Sequence, residues 1–84
     1  MNDQKARAEE SQARLHAHEE LKTLKQSAGI SNDQFATLSK LVDAELAEIA
    51  GGGDAVAVRR GTDANANAIL NPAQQQAWAS MRAR

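Results

Sequence analysis

At 84 residues with no cysteine, one proline, one tryptophan and a net charge of -1, the chain has the size of a single domain without disulfide support. Its near-zero charge argues against a nucleic-acid binder, which relies on neutralising many phosphates. No apolar run approaches the roughly 20 residues of a membrane span or the roughly 7–15 of a signal-peptide core.

With aromatics at 2%, the interior has to be built from aliphatic side chains and alanine. So small a core predicts self-association as a further source of burial. The first segment, 3–28, is rich in Ala, Glu, Gln, Lys and Arg, all strong helix formers. Its first half offers only Leu15 as a large apolar residue. In the second half Ala17, Leu21, Leu24 and Ala28 recur at helical spacing, and Gly29 stands where a left-handed C-cap belongs.

The next segment opens on Ser31-Asn32-Asp33-Gln34, a capping-box pattern. The serine hydroxyl can accept from the amide of Gln34 while the Gln34 side chain reaches back to the amide of Ser31. Ile30 before the cap and Phe35 at the fourth helical position suit a hydrophobic staple. Phe35, Leu38, Val42, Leu46 and Ile49 then keep a three-four rhythm, widened by Leu41. A helix over 32–50 follows, ended by a glycine hinge at 51–53, since each interior glycine costs about 1 kcal/mol.

Residues 54–70 are expected to form a helix bent or broken near Gly61. Ala55-Val56-Ala57-Val58 has the β-branched content of a short strand, but no second strand is available to pair with it. On a helix Ala55, Val58, Thr62, Ala66 and Ile69 share one face. Asn71-Pro72-Ala73-Gln74 then repeats the cap, with Asn as N-cap, Pro at the first helical position and Gln at the third. The final helix, 72–83, carries Ala77, Trp78 and Met81 on its apolar face, with Arg82 and Arg84 at the negative end of its dipole. The fold expected is all-α: three to four helices in one domain over 1–84, forming a bent helical hairpin that dimerises.

Ile30-Ser31-Asn32-Asp33-Gln34 and Leu70-Asn71-Pro72-Ala73-Gln74 share one plan: aliphatic, capping residue, two variable positions, glutamine. This resembles the paired LTxxQ motifs of the Spy/CpxP-like periplasmic proteins, and the second copy, with Trp78 four residues on, lies nearest to that pattern. Ile30 stands where the motif has Leu, and Ser31 and Asn71 stand where it has Thr. All three cap types keep a side-chain oxygen able to accept from an amide. The resemblance implies a cradle-shaped periplasmic homodimer that acts as an ATP-independent chaperone or modulates an envelope-stress sensor. Its motif residues would be structural: Ser31, Gln34, Asn71, Pro72 and Gln74.

The one cluster with metal-ligand chemistry is His16-Ala17-His18-Glu19-Glu20. Residues two apart on a helix point about 200° apart, so the two histidines do not share an ion. His16, Glu19 and Glu20 lie on one face and would need a further donor, such as Met81 or a second subunit, to hold a divalent transition metal. Some relatives in the nickel, cobalt and zinc resistance group bind metal through helix histidines and carboxylates. The plainer reading is a solvated helix face with no cofactor.

No nucleophile with a matched base stands out, and Gly51-Gly52-Gly53 follows no strand that would make it a phosphate loop. A non-catalytic protein is therefore expected. Its partner would be another protein, either an unfolded client or a sensor, met through Phe35, Leu38, Val42, Leu46, Trp78 and Met81. Trp78 can equally be a packing anchor against Phe35 and Leu38. The alternatives are the metal-sensing protein above and a small cytoplasmic or phage-encoded adaptor or inhibitor.

Overall fold

The computed structural model describes residues 2–83, with side chains described from Gln12 onward. Four helices follow one another: α1 (Asn2–Ala28), α2 (Asn32–Ala50), α3 (Ala55–Ile69) and α4 (Pro72–Arg82). Among the described residues there is no strand, so the Ala55–Val58 segment is helical. The chain is all-α. No described helix is long and apolar enough to cross a membrane.

The turns are fixed by local chemistry. After α1, Gly29 takes φ +65°, and the amide of Ile30 donates back to the carbonyl of Lys25 at 3.2 Å. This is the long bond of a Schellman cap, which satisfies a carbonyl the helix leaves open. The second cap follows the same scheme. Gly52 takes φ +97°, its amide donates to Ile49 at 3.1 Å, and the amide of Gly53 donates to Glu48 at 2.9 Å. The glycine segment, expected as a hinge, is thus a closed, hydrogen-bonded turn.

Helix α3 runs through Gly61 without the expected break. Gly61 faces solvent, so its cost is the ordinary penalty of about 1 kcal/mol for glycine in a helix. Against this stand the buried Thr62 and Ala66 and the half-buried Val58 and Ile69, all on the face directed at the interior. The start of α3 is held by Asp54, whose carboxylate accepts from the amides of Val56 at 2.9 Å and Ala57 at 3.3 Å.

Helix α1 packs against both α2 and α4, and α2 packs against α3. The core is Leu21 and Leu24 from α1, Ile30 from the first turn, Leu38 and Val42 from α2, Ala66 from α3, Leu70 and Trp78. Ala17, Ala28, Phe35, Leu41, Leu46, Ile69, Ala77 and Met81 surround it, half-buried. Among the described residues of α1 the core begins only at Ala17, and Leu15 is 66% exposed. Polar ties reinforce the first pair of helices: His18 Nε2 meets Asp43 Oδ1 at 3.0 Å, and Lys25 Nζ donates to Asn32 Oδ1 at 2.6 Å while lying over the Phe35 ring.

Candidate functional site

Two of the helix caps meet across the fold through their glutamines. At the start of α2 the Ser31 hydroxyl accepts from the Gln34 amide at 3.1 Å, and Gln34 Oε1 accepts from the Ser31 amide at 2.9 Å. At the start of α4 Asn71 Oδ1 accepts from the Gln74 amide at 2.8 Å, and Gln74 Oε1 accepts from the Asn71 amide at 3.1 Å. Both are complete capping boxes, and Pro72 sits in the first turn where no amide donor is needed.

Each glutamine then does a second job across the fold. Gln34 Nε2 donates to the carbonyl of Ile69 at 2.8 Å, the last residue of α3, and to Gln74 Oε1 at 3.0 Å. Gln74 Nε2 donates to the carbonyls of Gly29 at 3.2 Å and Ala28 at 3.4 Å, where α1 ends, and to Gln34 Oε1 at 3.4 Å. The glutamine that opens α2 therefore closes α3, and the one that opens α4 closes α1. Between them the two amides pair reciprocally. Helix ends leave amides and carbonyls unsatisfied, and this clasp meets several of those needs with two side chains. It also gives the α1–α2 and α3–α4 halves matching roles around one centre.

Gln74 is buried and Gln34 half-buried. Each bond left open in such a place costs about 1–3 kcal/mol. Gln74→Leu is therefore expected to lower stability by about 2–3 kcal/mol and Gln34→Leu by somewhat less. The double variant should lose less than the sum, because the reciprocal pair is removed once. Urea unfolding followed by the fluorescence of Trp78 checks this; strict additivity would mean that the two amides do not act as a pair.

A second polar cluster ties α4 to α2 and α3. Arg82 reaches the buried carboxylate of Glu45 with both terminal nitrogens, Nη1 to Oε2 at 2.9 Å and Nη2 to Oε1. Its Nε donates to Asp63 Oδ1 at 2.9 Å, which also accepts from the Trp78 indole Nε1 at 2.9 Å. The guanidinium lies over the Trp78 ring. Arg59 adds a bond from Nη2 to the carbonyl of Arg82 at 3.3 Å.

Burial alone would push the Glu45 carboxyl up, but the hydrogen bonds and charge of Arg82 outweigh it, with the Thr62 hydroxyl and the Arg59 charge acting the same way, and hold Glu45 below the usual carboxylate range. Hydrogen bonding to Glu45 holds Arg82 above the usual guanidinium range, against the opposing effect of its own burial. A C-terminal arginine read from sequence as a partner of the helix dipole is instead a fork into the interior. Arg84 lies outside the described residues.

The residues expected as partner contacts separate by burial. Leu38, Val42 and Trp78 are 0%, 3% and 2% exposed. They form the core of this chain, so their expected role as a contact surface is corrected: the same apolar periodicity that suggested an interface is used up inside. Phe35, Leu46 and Met81 are half-buried at the margin of that core.

His16 Nε2 approaches Glu20 Oε1 at 3.0 Å across one helical turn. His16, Glu19 and Glu20 line a groove of about 490 Å³ between α1 and α4, together with Thr23, Leu24, Ser27, Ala77, Ser80 and Met81. Yet among the described residues no three His, Cys, Asp or Glu side chains come close enough to hold an ion. A transition metal usually takes at least three protein donors, and the described side chains around His16, Glu19 and Glu20 do not gather them.

No family model, curated protein or solved structure matches the chain.

Proposed function

We propose that this is a non-catalytic, protein-binding helical module of the Spy/CpxP-like kind, an ATP-independent chaperone or a modulator of an envelope-stress sensor. The observation that supports it is the interlocking of the two cap glutamines. The aliphatic–cap–x–x–Gln segments that resemble the LTxxQ pair are 40 residues apart, and their side chains meet. A repeated cap used only locally would have no reason to place both glutamines face to face. On this reading the motif residues build the scaffold, and binding falls to the exposed helix surfaces around it.

The state and compartment that belong to this reading are a homodimer and the periplasm. Dimer formation would supply burial that an 84-residue chain lacks alone, and the exposed Val56, at the start of α3, is an apolar side chain available for it. Thermal aggregation of a model client, followed by light scattering without nucleotide, tests the function. Suppression at near-equimolar protein by a species of dimer mass in sedimentation is expected. A monomer that leaves the scattering curve unchanged would reject it.

A further inference from the structure

The carboxylates of Glu19 and Glu20 border a channel that runs along α1 and is faced across it by Ala77, Ser80 and Met81 of α4, and Leu15 borders a hollow next to it. The hollow beside Leu15 shares His16 and Glu19 with the longer groove and adjoins it along α1. From Leu15 to Ser27 the α1 wall extends over about 18 Å at the helical rise of about 1.5 Å per residue. That is a little over three helical turns.

The floor is apolar, formed by Leu24, Ala77 and Met81, and the small Ala77 and Ser80 let another backbone approach closely. Among the described residues neither lining includes Lys or Arg; besides His16, the titratable groups there are Glu19 and Glu20. Arg82 and Arg59 line the neighbouring hollow, which shares His16, Glu20 and Met81 with the groove, and there the guanidinium of Arg82 is neutralised by Glu45 and Asp63. The channel is thus acidic along one wall and apolar at its base, and the 66% exposed Leu15 stands at one end.

We infer that this channel binds a basic amphipathic helix of another protein, about three turns long. The apolar side of that helix rests on Met81 and Leu15, and its Lys and Arg side chains lie beside Glu19 and Glu20. Such recognition uses apolar anchors at i, i+3, i+4 and i+7 in a groove. The carboxylates reject acidic segments, since like charges brought together at an interface are costly. This rests on the reading of the chain as a protein-binding module and names the kind of segment it takes.

Two fluorescein-labelled peptides with identical leucine positions, one filled out with lysine and one with glutamate, test it by anisotropy against the full chain. The lysine peptide is expected to bind saturably and more weakly as salt rises, and the glutamate peptide not to bind. The charge reversal Glu19→Lys with Glu20→Lys should weaken the lysine peptide about tenfold. Ser80→Trp, which fills the channel without changing its charge, should weaken it at least as much.

Equal binding of the two peptides, or binding indifferent to the charge reversal, overturns the inference. So does a self-associating chain that the charge reversal dissociates in sedimentation while neither peptide binds, since a second copy then fills the channel. A chain that suppresses client aggregation yet shows no peptide preference overturns this inference alone. One that fails both assays loses the broader reading as well.

Discussion

Arg82→Met is expected to lower stability by about 3–5 kcal/mol at pH 7, the usual cost of stranding one member of a buried ion pair. Glu45 is 4% exposed, and its two oxygens are both taken by Arg82. Removing the guanidinium leaves the carboxylate in the interior with only the Thr62 hydroxyl and the charge of Arg59 to offset its lost hydration. The loss is specific to the unpaired charge, not to the packing of α4. The double variant Glu45→Met with Arg82→Met should therefore recover most of it, because replacing both partners by apolar groups of similar size is often neutral or better.

The pH dependence gives an independent check, and the two proteins should respond with opposite sign. In the native chain Glu45 titrates below its unfolded range. The folded state thus gains stability from it above the ordinary carboxylate pKa, and that gain is lost as pH falls through the depressed value. In Arg82→Met burial is left as the dominant influence and pushes Glu45 upward. Protonation then relieves the variant as pH falls, and the gap between the two proteins narrows. Urea midpoints from pH 7 down to pH 3 measure both slopes. A gap that stays constant over that range would show that Glu45 is not the stranded group.

The parts of this fold legible in the sequence are those settled within a single helical turn. Ser31, Gln34, Asn71, Pro72 and Gln74 solve a local problem, the open amides at the start of a helix. Their pattern therefore reads directly from residues three apart, as do the glycine turns at 29 and 52. What did not read is where each glutamine sends its amide. Ile69 lies 35 residues from Gln34, and Gly29 lies 45 from Gln74, and no local rule reaches that far. The same limit concealed the fork at Arg82, whose favourable place at a helix C-terminus offered a sufficient local explanation.

Glu45 stands three residues after Val42 and seven after Leu38, on the apolar face of α2, where a carboxylate has to find a partner or stay out of the core. Asp63 follows Thr62 on α3 and, unlike Glu45, is only half-buried, so nothing in its spacing marked it. Asp54, directly before Ala55 and able to accept from the first amides of α3, is a third readable cap beside Ser31 and Asn71. With that cap in place, and with Thr62 and Ala66 buried on either side of Gly61, a single solvent-facing glycine is too small a penalty to break the helix.

The anchoring role of Trp78 carries the other large expected effect. Trp78→Ala should cost about 3–5 kcal/mol, the range for emptying an aromatic site that cannot collapse. A domain of this size has a total stability of only about 4–13 kcal/mol, so the variant sits at the edge of folding. The side chain is 2% exposed among Leu21, Leu24, Leu38 and Val42, and its indole nitrogen holds Asp63 in place beneath Arg82. Trp78→Phe keeps much of the apolar contact and gives up only the indole bond and some volume. It should cost about 1–2 kcal/mol, within the range for a lost hydrogen bond with modest underpacking. Thermal unfolding by far-UV circular dichroism separates the two, since each kcal/mol is worth about 4–8 °C at this length. Were Trp78 mainly a contact for a partner, both variants would melt close to the native chain and differ only in binding. A drop of at least ~12 °C for alanine with a few degrees to about 16 °C for phenylalanine is the outcome its burial requires.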